Sequence, residues 1–523
     1  VPNTTGKAYG SGAGSVPFSS VTSSTDWHTL HREEGPMVIH QPKPDPGPLR
    51  PTYHLVDLSS LSISSVAPIF SVAAAGGAMV RAAGSGVPLA IVLIAVPFLV
   101  CSWIFLSLNQ HFPHAGASYH WSRRIVGLDY SNFQAWIVLM AYFWSIPPIL
   151  IPAAQFTLAA LGNHHPSGTL QGIVAMFWAL FSVSVLLWGA QVTARVTQIF
   201  LLVEVVFVGA MAVIGYAFWN RTLSATPLFS GQPIHWSGVV VCMVIAATIV
   251  DGWEIDSYAS EESQKPRLTP GWGGIIGAGA VVAYYLIIWP ILLHEVPLPV
   301  LGHSSDVLTT WSARTAPRFL PWLRIAIIAS TAGSLWLTTF ILSRALFSMA
   351  RDRILPRWLS HLNRHKVPKW AIVLPVAGSV GIVLGQIVVP QMTNLFALVL
   401  SSAGFFLVAE FFLDSVNMLI FLLRQHHLVR HTLKPHHHLL LLFGSTMVAF
   451  SLGTLEILFF RFGPKYIGPG IDRVTALMLI TGIAYVLWLR RHSAHQQTVV
   501  FDPEDESQPR VAGSHSTGHS HPH

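Results

Sequence analysis

The chain returns repeatedly to apolar stretches long enough to cross a bilayer, and that pattern limits its fold more than any single motif. A transmembrane helix needs about 20 consecutive apolar residues. Stretches of that kind lie near 58–80, 87–108, 131–160, 169–188, 194–218, 236–258, 272–293, 323–349, 369–389, 391–422, 437–460 and 471–490. Lipid offers no partner to a free backbone N–H or C=O, so such segments fold as helices that satisfy themselves. Only 10% of the 523 residues are charged and 52% are hydrophobic, against about 25% charged in soluble domains. The sequence predicts an all-α membrane protein with twelve transmembrane helices; tilts or turns within 131–160 and 391–422 would move the count to eleven or thirteen.

Lys and Arg in the loops set an orientation. Apart from Arg195 and Arg344, which lie inside spans, twenty of them fall on the side that carries residues 1–56, including Arg123, Arg124, Lys265, Arg267, Arg351 and Arg353. Eight fall opposite: Arg81, Arg221, Arg314, Arg318, Arg324, Arg461, Lys465 and Arg473. This predicts a multi-pass protein of the cytoplasmic (inner) membrane with both termini cytoplasmic. The formal charge of +7 then follows from topology, and without a long basic tract no nucleic-acid partner is expected. Residues 1–56, polar and rich in Ser, Thr, Gly and Pro, read as a disordered cytoplasmic tail with no cleavable signal peptide. Residues 493–523, with His515, His519, His521 and His523, read as a second tail. Its histidines are compatible with metal binding, though flexible polar sequence is the simpler account. Cys101 and Cys242 lie within apolar spans without metal-ligand spacing, as buried small side chains do. No metal site or resident cofactor is expected.

Two spans carry signs of interruption. In the first, Pro68 follows Ser64, Ser65, Val66 and Ala67 and precedes Ile69. It has no N–H and its ring meets the Ser64 carbonyl, so the helix is expected to unwind over 64–69. Amides opening the next helical stretch would then meet a carboxylate at the positive end of the dipole. A plain proline kink packed by small residues explains the same sequence. In the sixth, apolar residues 236–250 run straight into Asp251, Gly252, Trp253 and Glu254, with Asp256, Glu261 and Glu262 beyond. From Trp236 to Val250 a helix rises about 22 Å, short of the core of about 30 Å. This arithmetic favours a break inside the membrane over a boundary at Val250, and charges at that depth are functional candidates. Carbonyls near Ile249, Val250 and Asp251 are candidates to receive an ammonium, with Trp253 to stack over it. Trp144 and Trp336 are further candidates for the pocket wall, or ordinary core and lipid-facing aromatics.

Arg195 opens the fifth span, where an arginine is most simply an interfacial anchor. Glu204, within Leu201 to Phe207, either carries a proton during a transport cycle or makes a static hydrogen bond in neutral form. Thr338 and Thr339 would offer oxygen ligands to sodium or bond their own helix. Arg344, with Arg351 and Arg353 where the eighth span reaches the cytoplasm, serves either as a topology anchor or as a gating group, Asp352 neutralising part of the cluster.

Three blocks, in order, resemble the amino acid–polyamine–organocation permeases. Phe112-Pro113-His114-Ala115-Gly116-Ala117-Ser118-Tyr119 is similar to the family's Pro-x-Ala-Gly-Gly-x-Tyr segment, with Ala117 where a second glycine is common. Asp251-Gly252-Trp253-Glu254 with Glu261, Glu262 and Pro266 resembles its broken sixth span, and Ser343-Arg344 through Arg351-Asp352 to Leu355-Pro356 its most recognisable segment. The resemblance covers about residues 55–490 and implies inverted five-helix repeats at 57–218 and 236–422, joined by an external loop at 219–235. Helices 11 and 12 would lie within 423–492. It implies broken helices 1 and 6 with substrate held by Ser64 through Ile69 and Ile249 through Trp253, although Ala67-Pro68 replaces the family's usual Gly-Ser-Gly type of break. Coupling and gating candidates are Arg195, Glu204, Glu254, Thr338, Thr339 and Arg344.

The function expected from this reading is secondary active transport of amino acids or related amines by alternating access, as a proton-coupled symporter. The proton is the expected coupling ion and sodium the alternative. An amino acid exchanger or a non-transporting membrane sensor are the other readings. A channel lacks a pore-loop repeat or charged ring, and no nucleophile–base pair points to an enzyme. Oligomeric state is left open.

Overall fold

A computed structural model describes residues 49–163, 165–219, 235–388, 393–424, 435–466, 468–492, 499–500 and 510–511. The N-terminal tail to residue 48, most of the 219–235 loop and nearly all of the histidine-rich C-terminal tail lie outside the described residues. Helix dominates. The elements are α1 (Leu55–Val66), α2 (Pro68–Ala83), α3 (Val87–His111), α4 (Ala117–Ile125), α5 (Leu128–Ala160), α6 (Gly168–Leu187) and α7 (Ala190–Phe218). After these come α8 (Trp236–Val250), α9 (Ile255–Tyr258), α10 (Thr269–Glu295), α11 (Leu298–His303), α12 (Val307–Thr315) and α13 (Leu320–Arg351). The last four are α14 (Lys369–Val388), α15 (Thr393–Arg424), α16 (Pro435–Tyr466) and α17 (Ile471–His492). Short strands Val499–Val500 and Arg510–Val511 pair antiparallel.

Among the described residues, eleven helical stretches are long and apolar enough to cross a membrane. The sequence suggests twelve, and the difference has one source: Leu55–His111 counts as a single stretch of 57 residues because the turns at Ala67 and Gly84–Gly86 that interrupt it are only one to three residues long. Helical backbone of that length would extend about 85 Å, far more than one crossing requires.

Helix α13 sits at the centre, with 89% of its most apolar window buried; α7 and α17 lie at the rim with 22% and 17%. Leu202, Val205 and Val206 on α7 stand exposed, as expected of a helix that turns an apolar face to lipid. Small residues bring the central helices close. A Cβ at Gly277 of α10 would lie 2.3 Å from Ser62 Cβ on α1, and one at Gly238 of α8 would lie 2.0 Å from the Ala82 carbonyl oxygen on α2.

The first interruption is a single residue. Pro68 disfavours the right-handed helical region for the residue before it, and Ala67 takes φ 49°, ψ 60°. Proline at the first position of α2 loses nothing, since that N–H has no partner within the helix. The second is longer. Asp251 is extended (φ −78°, ψ 170°) and Gly252 has φ +109°, after which α9 restarts for one turn.

Candidate functional site

The two interruptions meet. A Cβ on Gly252 would lie 2.9 Å from the Val66 nitrogen and 3.0 Å from the Ser65 carbonyl carbon. Glycine therefore serves twice here, permitting the positive φ and the close approach. Beside this contact a cavity of about 560 Å³ opens, within the range of about 300–1,000 Å³ usual for small-molecule pockets. Its walls are helix faces: Ser71, Ala74, Ala78 and Arg81 on α2, and Ser334, Thr338 and Ile341 on α13, spaced three or four apart. The α2 wall is about 15 Å long. It runs from the breaks to Arg81, whose Nη1 donates to the Gly302 carbonyl at 2.5 Å.

Two of the charged side chains that line the cavity, Asp251 and Glu254, sit at the breaks; Arg81 is at the far end. Asp251 is half-buried and has no ion pair among the described residues. Glu254 is buried. Its Oε1 accepts from the Tyr142 hydroxyl at 2.9 Å and its Oε2 from the Gly252 amide at 2.7 Å. The negative dipole ends of α1 and α8 point toward the same region. Their carbonyls are partly engaged: Val66 accepts from Ser71 Oγ (2.8 Å), Ser65 from Ser334 Oγ (3.3 Å) and Ile249 from Tyr285 (2.5 Å).

On the side of the breaks away from Arg81, buried ion pairs close the structure. Arg344 grips Glu262 with both Nε and Nη2, each at 2.9 Å, and stacks 3.6 Å over the Phe340 ring. Arg351 holds Glu261 through Nη1 (2.9 Å) and Nη2 (2.5 Å). The Tyr119 hydroxyl donates to Asp352 at 2.8 Å and accepts from Arg123 Nη1 at 2.7 Å. The Thr52 and Tyr53 amides both donate to the Glu262 carbonyl, which ties the segment before α1 into this layer. His114 and His120 stack at 3.7 Å within it. Burial holds the His120 imidazole well below its ordinary range, and His114, Arg124 and Arg351 push it the same way.

The structure distributes the residues singled out in the sequence unevenly around the cavity. Of the first-break residues, Ser65 and Val66 line the cavity, whereas Ser64, Ala67, Pro68 and Ile69 do not; the chain departs from helix only at Ala67, so its neighbours stay packed. Of the second, Ile249, Asp251 and Gly252 line it, but Val250 and Trp253 do not. Trp253 is buried between Phe105, at 5.1 Å, and Phe411, stacked at 5.4 Å. Trp336 is buried against Phe200 with its Nε1 on Thr197, and Trp144 packs on Phe143 outside the cavity. Thr338 faces the cavity; Thr339, one residue on, turns away and donates to Leu335. Arg195 is exposed, away from the site. Glu204 is buried and accepts from Ser330 Oγ at 2.9 Å, while that oxygen accepts from the Phe70 amide at 3.2 Å near the start of α2. Arg344 lies in the ion-pair layer, and its partner is Glu262 while Asp352 serves Tyr119 and Arg123. Sequence reasoning missed Tyr142, Glu410 and Asp414. A lone acid in an apolar span marks Glu204, and the same signal was present at Glu410 and Asp414.

A sequence model of the family described as amino acid permease matches residues 53–488. The chain is similar to the branched-chain amino acid permease BcaP of Lactococcus lactis, 23% identical over 361 residues, covering 63% of this chain and 74% of the relative. It is similar to the human cationic amino acid transporter 4, 21% identical over 397 residues, covering 71% of this chain and 60% of the relative. An uncharacterized transporter of Mycobacterium tuberculosis is 23% identical over 331 residues, covering 62% and 72%.

Proposed function

The chain belongs to the amino acid permease family, as a multi-pass membrane transporter and not an enzyme, and from that premise we propose that it takes up amino acids by alternating access with a proton as the coupling ion. The observation that carries this reading is the cavity at two touching helix breaks, with Asp251 and Glu254 beside the carboxyl ends of α1 and α8. A substrate ammonium suits that end, where carbonyl dipoles and carboxylates gather. The ion-pair layer around Arg344 and Arg351 forms the closed gate, and release requires those pairs to change partners.

The same reading takes Leu55–His111 as two crossings, which makes twelve, arranged as two inverted five-helix repeats and two trailing helices. The Lys and Arg asymmetry supports both termini in the cytoplasm and places the closed gate on that side. Sodium is the alternative coupling ion, with Thr338 the only one of the two threonines that faces the cavity.

A second substrate class, amines without a carboxylate, is favoured by one observation. At the start of α2, Pro68 has no N–H and the Phe70 amide already donates to Ser330, while the Gly252 amide donates to Glu254. Few backbone donors remain for a substrate carboxylate. Uptake into proteoliposomes, competed in turn by neutral, cationic and anionic amino acids and by diamines, separates the two. The screen is repeated with the proton and sodium gradients collapsed one at a time. Saturable uptake that neutral amino acids compete for and that collapses with the proton gradient is the expected result; competition by diamines alone would select the second class. Absence of uptake in every condition would remove the transport assignment.

A further inference from the structure

Outside the cavity, α15 carries two acids one helical turn apart, Glu410 and Asp414, both fully buried. Residues at that spacing share a helix face. Glu410 Oε1 accepts from Ser118 Oγ at 2.7 Å and from the Tyr258 hydroxyl at 2.6 Å; Oε2 has no partner. Asp414 Oδ1 accepts from Gln134 Nε2 at 2.7 Å and Asn417 Nδ2 at 3.0 Å; Oδ2 has none. Facing the pair are Cys101 from α3, Tyr130 and Tyr142 from α5, Tyr258 from α9 and, beyond Tyr142, Glu254. No Lys or Arg forms an ion pair with either carboxylate among the described residues.

Two adjacent, fully buried carboxylates with no cation paired to either among the described residues carry two charges only at high cost, so the arrangement favours holding a proton on the pair. A connection to the cavity exists, because Tyr142, whose hydroxyl donates to Glu254, packs at 5.9 Å on the Tyr258 ring, whose own hydroxyl donates to Glu410. A connection to the gate exists as well. Ser118 belongs to α4, whose next residue, Tyr119, holds Asp352 at the end of α13. Movement of α4 as the gate opens would remove a donor from Glu410 and admit water to it.

We propose that Glu410 and Asp414 form the site that carries the coupling proton, loaded from the cavity through Glu254 and Tyr142 and unloaded when α4 moves. This rests on the proton-coupled reading above. In the loading step the Tyr142 hydroxyl turns from Glu254 to the unpartnered Oε2 of Glu410 and gives it its hydrogen as it takes the one on Glu254, so only O–H bonds form and break.

The test uses the full chain in proteoliposomes, a labelled mixture of the common amino acids and putrescine as probe, and two assays: accumulation driven by an imposed pH gradient, and counterflow without a gradient. A gradient of about one unit holds about a tenfold concentration ratio for one proton per substrate. Wild type is expected to reach accumulation of that order. Glu410→Gln and Asp414→Asn are expected to lose it while keeping counterflow within about twofold, a change worth under 1 kcal/mol. Gradient-driven accumulation in both variants equal to wild type overturns the assignment alone. Wild-type accumulation indifferent to the pH gradient overturns the proton-coupled reading and this assignment with it. Should Glu410→Gln fail to reconstitute, infrared difference spectra of wild type and Asp414→Asn decide. A titrating protonated-carboxyl band altered by Asp414→Asn supports the site, and its absence overturns it.

Discussion

Gly252 is the residue on which the two breaks depend, because its backbone lies against Ser65 and Val66 with no room for a Cβ. Gly252→Ala meets both a positive φ of 109° and that contact, and strained backbone of this kind costs about 1–3 kcal/mol. We expect a lower unfolding temperature for the purified protein and uptake reduced at least about tenfold, the rate equivalent of about 1.4 kcal/mol; unchanged uptake would mean that the breaks move apart freely. His120 has a different kind of sensitivity. Burial, then His114, Arg124 and Arg351, hold its imidazole well below the ordinary value of 6.5. The unfolded chain therefore takes up a proton at pH values where the folded chain does not. Its contribution to stability is complete above pH 6.5 and is lost as the pH falls below it. Thermal unfolding followed from about pH 7.5 to about pH 5.5 should show an acid-side decline that His120→Gln makes shallower; identical slopes would show that other groups control it.

Helix α13 presents Arg344 and Arg351, near its C-terminal end, to Glu262 and Glu261 in the segment that follows α9, which is the layer proposed as the gate. Arg344 is buried with Glu262, and removing one partner of such a pair strands the other charge at a cost of about 3–5 kcal/mol, whereas replacing both is often near neutral. Arg344→Met should lower the unfolding temperature sharply, and adding Glu262→Gln should recover most of the loss. A single variant as stable as wild type would show that the pair does not hold the closed state. Which of these elements the sequence discloses follows from how local the cause is. The break at Pro68 was legible because ring sterics act on the preceding residue, and the break after Val250 because fifteen residues of α8 are too short for a bilayer. The rotation of each helix was not legible. It is set by packing across distant segments, such as the seating of Trp253 between Phe105 and Phe411 and the capture of the Trp336 N–H by Thr197. For the same reason Thr338 was not separable from Thr339, nor could Glu262 be paired in advance with Arg344, 82 positions away.

At the scale of the whole molecule, the cavity and the ion-pair layer proposed as the gate lie on opposite sides of the breaks. Ala74 stands exposed on α2 although that helix is central, because its side chain looks into the cavity. If the Lys and Arg asymmetry sets the orientation, the cavity opens to the exterior and the Arg344 layer faces the cytoplasm. Single cysteines test this directly, since both native thiols, Cys101 and Cys242, are buried. Arg314→Cys on α12 and Ala74→Cys in the cavity should react with a membrane-impermeant maleimide on intact cells, while His361→Cys, exposed in the loop after α13, should react only after permeabilisation. Labelling of His361→Cys from outside would invert the topology. Labelling of Ala74→Cys only after permeabilisation, with Arg314→Cys still reacting outside, would keep the topology and show that the resting transporter opens inward, with the ion-pair layer acting as something other than the closed gate.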